Sequence, residues 1–124
     1  MITANNLSKS YKGVQVLNLQ SLDIPRGQSF GLVGNNGAGK TTFFCLLLDL
    51  IKPTTGHIKS KDVLVQESED WKPFTSSFID ESFLIGYLTP EEYFYFIGDL
   101  RGQNKADVDS LLAKFEDFFH GEII

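Results

Sequence analysis

The chain has 124 residues, the size of one ordinary domain, and 42% of them are hydrophobic, which is enough for a buried core. A formal net charge of -5 leaves no basic footprint, so neither a nucleic-acid partner nor an anionic lipid surface is expected. No run reaches the roughly 18 apolar residues of a membrane-spanning helix, the N-terminal MITANNLSKS has no apolar signal region, and the single Cys45 forms no internal disulfide, so a cytosolic α/β domain is the expectation. Eleven phenylalanines against one Trp and one Met predict a Phe-rich core.

In chain order, residues 2–7 read as a short strand, and a turn follows at Lys12-Gly13. Val16, Leu17, Leu19, Leu22 and Ile24 mark a second extended run, punctuated by Pro25-Arg26-Gly27. SFGLVG (residues 29–34) lies between glycines and reads as a buried strand. Residues 41–51 are apolar nearly all round, which predicts a helix covered on most sides, with Pro53 ending it. TTGHI turns into another short strand, residues 67–70 form a polar loop, and residues 74–79 read as a strand. Thr89, Pro90 and Glu92 write a capping box with proline at the first helical position. Tyr93, Phe96, Ile97 and Leu100 share one face of that helix, and Gly102 stops it. Asn104 caps a last helix with the face Val108, Leu111, Leu112, Phe115 and Phe119, ended by Gly121.

Residues Gly34, Asn35, Asn36, Gly37, Ala38, Gly39, Lys40 and Thr41 match G-x-x-x-x-G-K-[ST] in full. Glycines permit positive φ and remove side chains that would hold phosphate away. Successive N–H groups then line one concavity, and the following helix N-terminus adds positive potential. Lys40 is the expected partner of the β- and γ-phosphates, and the Thr41 hydroxyl the expected Mg²⁺ ligand.

Residues 2–102 resemble the N-terminal half of an ABC transporter ATP-binding subunit, carried by GNNGAGKTT, by KPTTG after the helix and by SKSYKG before it. The resemblance implies an α/β, P-loop NTPase-like fold: an N-terminal antiparallel β part, a P-loop strand and helix, then two C-terminal helices. The core sheet is incomplete, because the two strands that separate the P-loop strand from the sensing-loop strand in that family are missing. The whole chain is read as one truncated domain, with residues 1–60 as the β part with the P-loop and its helix. Residues 61–124 are read as the sensing-loop strand and the start of a helical subdomain.

The resemblance also implies ATP and Mg²⁺ as cofactors, Tyr11 stacking on adenine, and Thr42 as a further phosphate contact. Where the family has a sensing glutamine, this chain has Asp80, with Glu81 beside it. A carboxylate suits Mg²⁺ but adds negative charge near phosphate; the other reading is a solvated strand-end acid. Gln66 falls too early for that role, and neither His57 nor His120 stands at the family's switch position. Cys45 reads as packing.

The L-S-G-G-Q signature, the second acidic strand with its catalytic glutamate and the switch histidine are not in these residues. No catalytic residue is therefore assigned, and the polypeptide alone is expected to bind ATP without turning it over. The implied partners are a membrane-spanning transporter subunit and a second ATP-binding subunit, at the cytoplasmic face of the membrane. The unfilled sheet predicts a homo-oligomer or swap that covers the P-loop strand, or an arrangement unlike the family fold. Two other classes stay open on sequence: a different P-loop NTPase such as a small kinase, and a non-catalytic nucleotide-binding module. NKAD (residues 104–107) matches a guanine-reading motif in letters only, since it starts a helix.

Overall fold

The computed structural model describes residues 1–118, in two units that divide between Ile79 and Asp80. The first unit is built on an antiparallel sheet of order β2-β1-β3-β4, from β1 (Ile2–Tyr11), β2 (Val14–Ile24), β3 (Thr55–Ser60) and β4 (Val63–Leu64). Two-residue turns at Lys12-Gly13 and Lys61-Asp62, all at positive φ, close the β1–β2 and β3–β4 hairpins. Such turns match the right-handed twist of paired strands. β4 was not foreseen, because two residues carry no periodicity.

Two irregularities shape the sheet. On the β3 side, Asn6 at φ 47 interrupts the register between Asn5 and Ser8, so the inward residues of β1 are Ala4 and Leu7, three apart. On the β2 side, Lys9 faces Leu17 while Ser10 faces Gln15, which leaves Val16 as the extra residue of a bulge. Helix α1 (Lys40–Leu47) lays Phe43 and Leu46 on the sheet, where they join Ala4, Leu7, Ile58, Val65 and Trp71. The buried Trp71 indole donates to the Val65 carbonyl at 3.2 Å, and Gln66 Nε2 donates to Leu46 O at 3.2 Å. Neither contact was readable from the polar loop that encloses them.

Several expectations are corrected here. Residues 29–34 form no strand and are not buried; Phe30, Leu32 and Val33 are exposed, Val33 at 94%. A strand exists by pairing, and among the described residues nothing pairs with this run. Residues 74–79 likewise form no strand: a 3₁₀ turn, Lys72–Phe74, carries Pro73 as its second residue and gives way to irregular chain. Helix α1 stops at Leu47, well before Pro53, because Asp49 turns left-handed (φ 54). Asp49 N then reaches Leu46 O and Leu50 N reaches Cys45 O, a Schellman closure. The helix is covered on one side only, with Phe44 exposed, and Leu50 in the turn after it is exposed as well. The core is not Phe-rich either: among the described residues Phe43 is the phenylalanine within it. One sheet face under one short helix leaves little room, and the other rings fall outside the strands.

The second unit contains α2 (Pro90–Leu100) and α3 (Lys105–Leu112), followed by a kinked 3₁₀ stretch, Ala113–Phe118. Both predicted caps are present. Thr89 accepts from Glu92 N while Glu92 accepts from Thr89 N, and Asn104 and Asp107 do the same for α3. Gly102 (φ 70) ends α2 as expected. Of the face expected on α2, Tyr93 and Ile97 are half-buried but Phe96 and Leu100 are exposed; of that on α3, Val108 is buried while Leu111 and Phe115 are exposed. Phe119, His120 and Gly121 lie outside the described residues.

The two helices meet at Gly98, where a Cβ would stand 2.5 Å from Val108 Cγ2. Tyr95 Oη donates to Asp109 Oδ1 at 2.6 Å across the same pair, which pushes the Tyr95 hydroxyl above the usual phenol range. Alanine ordinarily improves a helix interior by about 1 kcal/mol over glycine. Here the stiff, buried valine reverses that sign. Gly98→Ala is expected to destabilise this unit by about 1–3 kcal/mol, and adding Val108→Ala should recover part of the loss. Thermal melts of the two variants check this; a stabilised single mutant would refute the contact.

Candidate functional site

The loop of residues 34–41 is shaped by its glycines. Ala38 N bonds Asn35 O at 3.0 Å, closing a turn, and Gly37 lies at φ 84. Gly39 lies at φ 88 and serves as the N-cap of α1. That position excludes a side chain twice over: it is left-handed, and a Cβ would sit 2.5 Å from Val16 O and 3.3 Å from Leu17 Cδ1. The loop is thus seated on the bulge of β2. A Cβ on Gly34 would crowd Ala38 Cβ at 3.1 Å.

Lys40, the first residue of α1, turns its ammonium back over the loop. Nζ donates to Gly34 O and, at 2.8 Å, to Asn35 O. No side chain caps the N-terminus of α1, and its first intrahelical acceptor is Gly39 O, bonded to Phe43 N at 2.9 Å. The amides of Lys40, Thr41 and Thr42 precede that bond and have no helical acceptor, as at any helix start. Together with the lysine they form a positive, donor-rich mouth facing solvent, suited to an anion with many oxygens.

Tyr11 ends β1 opposite Val14, two residues from the bulge that seats Gly39. It is 49% exposed, and Lys9 Nζ stands over its ring at 4.9 Å. Sequence reasoning overlooked Lys9, although its place two residues before Tyr11 on a strand was a usable signal. It also overlooked Val16, because its contact is made by a backbone oxygen.

Asp80 belongs to the second unit and caps a 3₁₀ turn, Glu81–Phe83. Its Oδ1 accepts from the Ser82 hydroxyl and, at 2.7 Å, from Ser82 N. The Ser82 hydroxyl, then the Ser82 amide, hold its carboxyl below the usual range, so it is ionised at neutral pH. Its second oxygen takes part in neither bond. His57 lies half-buried on β3 opposite Asn5, and Cys45 is half-buried in α1. Among the described residues no helix is long and apolar enough to cross a membrane.

The family model for ABC transporters matches residues 17–122. ABC transporter A family member 7 of Arabidopsis thaliana is 32% identical over 98% of this chain, which spans 14% of that protein. An uncharacterised ABC transporter ATP-binding protein of Bacillus subtilis, YcbN, is 43% identical over 47% of this chain, equal to 19% of its own length. A solved ATP-binding subunit of an ABC transporter superposes with a TM-score of 0.71 at 27% identity, covering 85% of this chain and 44% of the solved one. The chain therefore spans a fifth or less of these curated relatives and under half of that structure. The fold is that of a P-loop ATPase domain with part of its sheet, and the chain belongs to the ABC transporter family.

Proposed function

We propose that this chain binds ATP as part of a protein that in full length couples ATP hydrolysis to transport. Residues Gly34 to Thr42 hold the phosphates, and Tyr11 stacks on adenine. The observation that carries this reading is the seat of Gly39 on Val16. From Val16 the strand runs two residues to Val14 and one ladder step across to Tyr11. That is about 8 Å by strand geometry, a span that suits the base and phosphates of one nucleotide. The similarity to an ATP-binding subunit supports the same choice of base.

Mg²⁺ fits as a companion of the nucleotide. Among the described residues no group of three His, Cys, Asp or Glu could hold a metal ion. The Thr41 hydroxyl, in the first turn of α1, is the donor this unit offers. When bound, the ion neutralises charge on the phosphates. For Asp80 a metal role rests on the resemblance and on its ionised carboxylate. The partners we assign are a membrane-spanning subunit and a second ATP-binding subunit, at the cytoplasmic face of a membrane. The exposed run of Phe30, Leu32 and Val33 belongs to such association too. A strand from the rest of the protein, or from a second copy in an oligomer or swap, covers it.

Calorimetric titration with ATP and with inorganic tripolyphosphate tests the assignment. Tyr11→Ala is expected to weaken ATP about tenfold and to leave tripolyphosphate unchanged; an equal loss for both ligands makes Tyr11 structural. ATP should raise the melting temperature without release of phosphate. Tighter binding of GTP than of ATP overturns the adenine reading.

A further inference from the structure

We infer that Lys9 is a positioning residue for the adenine shelf: its ammonium braces one face of the Tyr11 ring from the far end of the P-loop helix. The inference rests on the reading of Tyr11 given above. Lys9 and Tyr11 are two apart on β1, so their side chains leave the same face of the sheet. Lys9 Nζ lies 4.9 Å from the ring centroid and also donates to Lys52 O at 2.6 Å.

That second bond distinguishes this contact from an ordinary surface pairing. A lysine side chain free in solvent loses much rotamer entropy when it settles on a ring. Here the ammonium is also held by the Lys52 carbonyl, in the turn that follows α1. Lys52 Nζ pairs with Asp49 Oδ1 at 2.8 Å, and Asp49 is the left-handed residue that closes α1. The same segment is fastened to β1 again by Thr54 N on Ser8 O at 2.8 Å and by Ser10 N on Thr54 Oγ1 at 2.9 Å. The charge under the ring is thus placed by contacts within the fold itself.

Two consequences follow for the shelf. The cation occupies one face of a ring that is half exposed, so the open face is the one left for a base. The cation also draws on the ring's negative face, which fixes the ring plane against it. In addition, α1 serves both ends of the ligand. Its N-terminus carries the phosphate loop, and the turn after its C-terminus anchors the lysine beneath the base.

The test compares Lys9→Met, Lys9→Arg, Tyr11→Ala and the double variant Lys9→Met/Tyr11→Ala, each titrated with ATP and with tripolyphosphate. Lys9→Met is expected to weaken ATP about threefold with tripolyphosphate unchanged. Lys9→Arg, which keeps the cation and a donor, should restore ATP binding. The double variant should bind ATP no more weakly than Tyr11→Ala alone. An equal loss for both ligands in Lys9→Met overturns the inference, since Lys9 would then act as a general attractor of phosphate. No loss overturns it as well. If Tyr11→Ala weakens ATP selectively and Lys9→Met does not, the shelf stands and the brace is refuted. If Tyr11→Ala shows no selective loss, both readings fail together.

Discussion

Lys40→Ala is expected to lower ATP affinity at least a hundredfold, on the order of 3 kcal/mol, while the unliganded chain melts nearly where the wild type does. The two halves of this result have separate causes. The ammonium makes exposed bonds to Gly34 O and Asn35 O, and such bonds contribute little to folding because water replaces them. In the role proposed for it, the same ammonium would meet the charged phosphate oxygens of ATP, where hydrogen bonds are about twice as strong. Calorimetry gives the first quantity and a thermal melt the second. Unchanged affinity refutes the assigned role. A large fall in melting temperature would show instead that Lys40 holds the loop and the start of α1 together.

Gly56→Ala carries the largest expected effect on folding. Gly56 lies at φ 75 on β3, and a Cβ there would stand 2.3 Å from both Asn5 O and Asn6 O. Left-handed strain alone costs about 1–3 kcal/mol, and the clash is with main chain, which cannot swing aside. Relief requires β3 to withdraw from β1 where Leu7 and Ile58 are fully buried. A loss of about 4 kcal/mol or more is a large share of the roughly 5–15 kcal/mol that stabilises a domain. Urea unfolding measures it. A variant within about 1 kcal/mol of wild type would show that β1 and β3 are not apposed as described.

What could be read from the sequence divides along a physical line. Features set by neighbours in the chain were legible: the capping box at Thr89 and Glu92, the Asn104 cap, the stop at Gly102, the turn at Lys12-Gly13 and the start of a helix after the glycine-rich loop. Each needs only a few residues of fixed type and spacing. Features set by distant partners were not. Residues 29–34 have strand composition, yet no described neighbour pairs with them. The end of α1 was misread because an aspartate, not a glycine, takes the left-handed position. Trp71 and Val65 were passed over since burial depends on what lies across the sheet, and a short polar loop gives no hint of that. In the candidate site, the loop was proposed from its motif and Tyr11 from the resemblance, whereas the seating of Gly39 on the β2 bulge was not readable. The surroundings of Asp80, a turn cap bonded to Ser82, were likewise not readable from a strand-like context.

The seat of Gly39 on Val16 is made through a main-chain oxygen. This contact therefore does not depend on the residue type at position 16, since every amino acid brings the same carbonyl. Length is another matter. Removing one residue between Tyr11 and Val16 would erase the bulge on which Gly39 is seated, while Leu17 and the residues after it keep their partners on β1. The site is thus insensitive to spelling at this point but sensitive to counting, and a library of single deletions across the hairpin would reveal it where a substitution scan would stay silent.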